Sequence, residues 1–203
     1  MKTEKSDRSS RNESQASTPA KPQEAGVIAP EIRPGQSIEL LKELHILTRD
    51  GKLNQDSRRK LKQVYHLFQF IEKLLLELPE KAAGITLADH GAGKSYLGFI
   101  IYDLFFKDKP VGHIYGIETR GELVQKSREV AAKLGLERMS FLKLSVAEST
   151  QSDELPERID GVTALHAGDT ATDDAIAFGS ERKAKVMVLG TGVEAGRGVG
   201  LVK

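Results

Sequence analysis

The chain has 203 residues, with 30 lysines and arginines against 29 acidic residues and no cysteine. That length suffices for one domain with a sizeable core plus a tail, and near-neutrality gives no global reason to expect a nucleic-acid or membrane surface as partner. The lack of cysteine excludes disulfides, thiolate nucleophiles and cysteine-bound zinc, and His45, His66, His90, His113 and His166 show no HxxxH pairing, so no metal site is expected.

The first 33 residues are polar, serine-rich and punctuated by proline. Such a segment buries too little apolar surface to offset its ordering entropy, so residues 1–33 read as a disordered tail. The segment has no apolar h-region, and no run in the chain approaches the roughly 20 apolar residues that span a bilayer. A cytoplasmic protein with no membrane partner is expected.

Residues 34–80 read as a helical segment. SIELLKELHILTRDG predicts a short amphipathic helix stopped at Gly51. A longer helix follows, capped at Asn54 or Asp56 and ended by Pro79. Leu61, Val64, Tyr65, Phe68, Ile71, Leu75 and Leu78 share one face at helical spacing. Leu67, Phe70 and Leu74 widen that face and predict cover on more than one side. Arg58, Arg59, Lys60 and Lys62 read as a solvated helix start.

From residue 81 to 190 strands and helices alternate. ITLADH, VGHIYGIE, MSFLKL, RIDGVTALH and AKVMVLG read as strands; KSYLGFIIYDLFFK, GELVQKSREVAAKLGL and TATDDAIAFG read as helices. This order predicts parallel pairing through right-handed crossovers, hence a doubly wound, Rossmann-like α/β sheet with an N-terminal helical extension. Residues 191–203 are different. Five glycines fall between Gly190 and Gly200, and glycine at that density predicts an irregular tail.

The turn after the first strand, LADHGAGKSYLGF, is open to more than one reading. Gly93-Lys94-Ser95 is the ending of a phosphate-binding P-loop, but the first glycine of that pattern would stand at Ala88, and Asp89 would meet the polyphosphate. A dinucleotide site wants a further glycine where Tyr96 stands. The third reading is an acidic residue at a strand end followed by glycines that let backbone approach a ligand at a helix N-terminus, which Asp89-x-Gly91-x-Gly93 supplies. Glu118 closes the next strand 29 residues later, where a carboxylate takes ribose hydroxyls. Glycine turns of this kind also occur with no ligand.

At these residues the sequence resembles the class I S-adenosylmethionine (SAM)-dependent methyltransferases, over roughly residues 54–189. It resembles most the subgroup found in glutathione S-transferase C-terminal-domain-containing proteins and bacterial relatives. The resemblance implies SAM as cofactor and methyl transfer to a nucleophilic acceptor. It implies that Asp89, Gly91 and Gly93 form motif I, with Asp89 facing the methionine amino group. It implies that Glu118 holds the ribose, and that Ser145, Val146, Ala147 and Glu148 border the adenine. His166 and Asp169, after the fourth strand, would lie where the acceptor is presented and could hydrogen-bond or deprotonate it; equally, they could cap the strand and the next helix. Ser95 stands at the third glycine of GxGxG, where its hydroxyl is expected to cap the helix. The family core has seven strands and five are readable, so the C-terminal strands are expected to be missing. A non-catalytic interaction protein keeping this fold, and a P-loop-like nucleotide-binding protein, are the alternatives. No sequence feature singles out RNA, a protein or a small molecule as the acceptor.

Overall fold

The computed structural model describes residues 29–79, 82–165, 169–190 and 199–202. Six strands form one sheet in the order β3-β2-β1-β4-β5-β6. β1 (Thr86–His90), β2 (His113–Ile117), β3 (Met139–Leu142), β4 (Gly161–Ala164) and β5 (Val186–Gly190) are parallel. The chain passes outward from β1 to β2 and β3, then returns to β4 on the other side of β1. That reversal places the carboxyl end of β1 at the switch point where open α/β sheets bind ligands.

The period of two along each strand divides the core. Leu87, Ile114, Met139, Phe141, Val186 and Val188 face a cluster built with α1 (Ile38–Glu43), α2 (Gln55–Glu77), α3 (Tyr96–Ile101) and α4 (Gly121–Leu134). Ala88, Ile117, Leu142, Val162, Ala164, Met187 and Leu189 face a second cluster with Ala175 and Phe178 of α6 (Asp169–Glu181). The expected doubly wound architecture is therefore present, with the N-terminal helices on one face.

Local chemistry accounts for the helix limits. The Asn54 side chain accepts a 2.8 Å bond from the Ser57 amide and opens α2. Leu78, extended before Pro79, closes it. Gly135 closes α4, as expected. α3 continues into a π-helical turn over Tyr102–Phe106. In that turn the buried Asp103 accepts from the Ser37 amide at 2.8 Å and from Lys107 at 3.0 Å, tying α1 to α3.

Several sequence expectations are corrected. Order begins earlier than residue 34: Ile32 is buried, and the Arg33 guanidinium lies over the rings of Tyr65 and Phe68, because α2 offers these residues an apolar and aromatic surface. Residues 1–28 lie outside the described residues. α1 ends at Glu43 rather than Gly51, since His45 turns into the left-handed region (φ 53°) and Ile46 and Leu47 fold back onto the Leu41 carbonyl. α2 is covered on one side only: Phe70 and Leu76 are 45% and 67% exposed. Its basic start is partly paired, Arg58 with Glu31 and Arg59 with Asp56, while Lys60 lies over the Tyr96 ring. The tail expected to be irregular holds β6 (Val199–Val202), antiparallel to β5 over Met187–Gly190. A short Val-Gly-Leu-Val run beside an open sheet edge finds its backbone partners there.

One helix was not foreseen. α5 (Val146–Gln151) opens on a reciprocal capping box, with the Glu148 amide donating to Ser145 Oγ at 3.2 Å and the Ser145 amide donating to Glu148 Oε2 at 2.7 Å.

Candidate functional site

The turn between β1 and α3 is built from three left-handed residues spaced two apart: Gly91 (φ 63°), Gly93 (φ 58°) and Ser95 (φ 55°). Only glycine enters that region without cost, which explains the two glycines. Ser95 takes the same conformation at the third glycine position of the motif. Its hydroxyl makes no cap bond, contrary to expectation; it accepts instead from Ser127 of α4 at 3.3 Å in a buried contact. The turn is closed by the Ala92 amide donating to the Ile117 carbonyl at 3.1 Å and the Ser95 amide to Ala92 at 2.7 Å.

Asp89 stands on β1 just before this turn and is 4% exposed. Thr163 Oγ1 of β4 donates to its Oδ1 at 2.5 Å. Its Oδ2 faces α3, where a Cβ added at Gly98 would lie 3.7 Å away. Burial pushes this carboxyl up to about 6, and the Thr163 bond offsets only part of that. Among the described residues no cationic side chain pairs with it. A sealed carboxylate without a counter-charge is costly, and a ligand amine is the kind of group that would relieve it.

Glu118 follows β2 and is equally buried, at 6%. Its Oε2 accepts from the Gly93 amide at 2.8 Å, so the β2 carboxylate and the glycine turn form one assembly. Arg120, unremarked in the sequence, grips the same carboxylate from two positions: Nε donates to Oε1 and Nη2 to Oε2, both at 3.0 Å, with its own amide adding a 3.0 Å bond to Oε1. Thr119 Oγ1 donates to Oε1 at 3.3 Å. The Arg120 side chain holds this carboxyl down at about 2. Both carboxylate oxygens thus already accept from donors of the chain, and a diol would reach them by displacing the Arg120 side chain. The guanidinium itself is 61% exposed and lies over Gly93.

His90, the last residue of β1, turns to the opposite, α6 side of the sheet; it is 1% exposed, its ring edge-on to Phe178 at 4.4 Å. Neither ring nitrogen has a partner among the described residues, and burial lowers its pKa to about 4, so the imidazole is neutral.

Asp89, Gly91, Gly93 and Glu118 are therefore brought together as expected. Ser145, Val146, Ala147 and Glu148 cap and begin α5 at the carboxyl end of the neighbouring β3; Val146 is half-buried, while Ala147 and Glu148 are exposed. The Glu148 carboxylate is committed to its capping box. His166 lies outside the described residues, and Asp169 is the first residue of α6. Lys94 is exposed. Among the described residues no group of three or more potential ligands could hold a metal, and no helix is long and apolar enough to cross a membrane. A separate groove of about 500 Å³ follows the outer side of β3, lined by Arg128, Leu136, Met139 and Phe141 among others. The Arg128 side chain closes on the Phe141 carbonyl there.

Compared with curated proteins, the chain has no match. Among solved structures it is similar to the YcgJ protein from Bacillus subtilis (18% identity, TM-score 0.45, covering 62% of this chain and 50% of that one). It is also similar to TrmK from M. capricolum in complex with S-adenosyl-homocysteine (12%, TM-score 0.44, 62% and 52%). A third is a SAM-dependent methyltransferase from Aquifex aeolicus (22%, TM-score 0.42, 63% and 67%). The chain spans about half the length of the first two. A family model described as a methyltransferase domain matches residues 59–191, which includes the whole of the β1–α3 turn, Glu118 and α5. By that match the chain belongs to the methyltransferase-domain family.

Proposed function

We propose that the chain binds SAM at the β1–α3 turn and serves methyl transfer to an acceptor that is RNA, a protein or a small molecule. The observation that carries this is the assembly of two buried carboxylates of different character on one glycine turn. Asp89 has no counter-charge among the described residues and suits a cationic amine. Glu118 is held ionised and suits a pair of hydroxyls. Gly91 and Gly93 leave room for backbone to approach the ligand, and α5, which by the resemblance would border the adenine, begins at the carboxyl end of the neighbouring β3. Bound there, SAM supplies an electrophilic methyl group. The residues named bind and orient; a positioned acceptor needs no nucleophile from the protein. On the sequence resemblance alone, we assign the chain to the subgroup associated with glutathione S-transferase C-terminal domains, with His166 and Asp169 on the acceptor side and a cytoplasmic setting.

A non-catalytic interaction protein is the second reading, and the Arg120 side chain on Glu118 favours it, because a chain that had given up its cofactor could keep that pair permanently. A P-loop reading is disfavoured by the Gly93 amide, which points at a carboxylate. Titrating SAM and Mg-ATP into Glu118→Ala and Lys94→Ala separates the three. The proposal expects Glu118→Ala to weaken SAM binding and Lys94→Ala to leave it largely intact. ATP binding that depends on Lys94, with Glu118 silent, supports the P-loop; no ligand bound by folded protein supports the interaction protein.

A further inference from the structure

Thr163 sits in the middle of β4 and is completely buried. Strand alternation turns Val162 and Ala164 into the α6-side cluster, so Thr163 faces the side of the sheet that Asp89 faces. The register is direct, with Asp89 opposite Thr163 in the parallel β1–β4 pair. A valine of the same shape would suit a purely structural position here, since a buried hydroxyl is unfavourable unless it is bonded. The recorded bond of this hydroxyl is the one it donates to Asp89 Oδ1, at 2.5 Å. That bond fixes one carboxylate oxygen against β4 and leaves the other free of the strand, facing Gly98 of α3.

We propose that Thr163 is a positioning residue for the cofactor: its hydroxyl anchors Asp89 Oδ1 so that Oδ2 is presented to the ligand amine. This rests on the SAM reading of the site. Glu118, the other acidic group of the assembly, is satisfied by Arg120 and Gly93 and does not compete for the Thr163 hydroxyl. The inference also explains how a carboxylate lacking a charged partner holds one orientation in the ligand-free chain: the hydrogen bond supplies direction without supplying charge. An ammonium arriving at Oδ2 then meets an acceptor already aimed.

The test compares two probes, S-adenosylhomocysteine and 5′-methylthioadenosine, which share the adenosine and differ in the amino-acid portion. Titrations are run on wild type, Thr163→Val, Thr163→Ser, Asp89→Ala and the Asp89→Ala/Thr163→Val pair. Losing one charge-linked hydrogen bond predicts that Thr163→Val binds S-adenosylhomocysteine about tenfold or more weakly, with methylthioadenosine changed by less than about twofold. Thr163→Ser restores the affinity, and in the Asp89→Ala background, where the hydroxyl has lost its acceptor, Thr163→Val costs nothing further. Equal loss of both probes shows a packing role and overturns the inference, as does unchanged S-adenosylhomocysteine affinity. Folded wild type that binds neither probe overturns the SAM reading itself, and with it the role given to Thr163.

Discussion

Replacing Asp89 with asparagine should weaken the ligand site and relieve the fold at the same time. The Asp89 carboxyl sits near 6 against an ordinary 3.8. A pKa raised on folding means that the native state binds the proton more tightly than the unfolded chain, so stability declines as pH rises from about 4 to about 6 and the full penalty stands at pH 7. At about 1.4 kcal/mol per pH unit of displacement, the penalty is about 3 kcal/mol. Asparagine carries no charge to desolvate and keeps an oxygen for the Thr163 hydroxyl. Its new amide adds a cost that does not vary with pH, so the comparison is made across pH. Between about pH 3.5 and pH 7, Asp89→Asn should gain about 3 kcal/mol on wild type, or roughly 6–12 °C in relative melting temperature for a chain of this size. Urea denaturation and thermal melts at stepped pH read it directly. In the same protein, S-adenosylhomocysteine should bind about tenfold to a hundredfold more weakly at pH 7, the loss expected for one charge-assisted contact. Parallel pH profiles for the two proteins would refute the reasoning, since they would mean that Asp89 is neither desolvated nor without a counter-charge. Divergent profiles with unchanged affinity would reduce Asp89 to a turn residue.

Arg120→Ala frees two acceptor positions on Glu118 and should tighten S-adenosylhomocysteine binding in a calorimetric titration; weaker binding would show that the guanidinium holds the ligand instead. Ser95→Gly relieves a left-handed serine but orphans the Ser127 hydroxyl, so it should be near neutral, whereas Ser95→Gly with Ser127→Ala should be about 1 kcal/mol more stable than wild type in urea. Arg182 is buried and donates to the carbonyls of Ser149, Thr150 and Ser152 at the end of α5 and to those of Leu155 and Pro156 just beyond. Arg182→Met should therefore cost at least about 2 kcal/mol and lower S-adenosylhomocysteine affinity by loosening α5, which thermal melts and titration would show together.

The parts of this molecule legible in the sequence are those that local pattern controls. Strand–helix alternation gave the parallel sheet, Asn54 and Pro79 bounded α2, and the Asp89–Gly93 and Glu118 pieces emerged because each closes a strand. The Ser145-x-x-Glu148 capping box is also written in the sequence, and it starts α5 there. Other features depend on register and on side-chain reach. Thr163 becomes important only when β4 is laid beside β1, and Arg120 only when its side chain doubles back two residues onto Glu118. β6 escaped because its glycines weigh against a strand while the open edge of β5 weighs for one, and tertiary pairing prevailed. Ser95 shows the reverse: the spacing of Gly91 and Gly93 already pointed to a third left-handed position there, whichever residue occupied it.

The central claim is that this chain binds SAM at the turn between β1 and α3. Equilibrium titration of the full chain with SAM and with S-adenosylhomocysteine, in parallel with Mg-ATP, tests it most directly. The account predicts saturable one-to-one binding of both adenosyl ligands, lost or weakened in Asp89→Asn and Glu118→Ala, and no binding of Mg-ATP that depends on Lys94. Folded protein that takes up neither adenosyl ligand, or that binds Mg-ATP through Lys94, would contradict it.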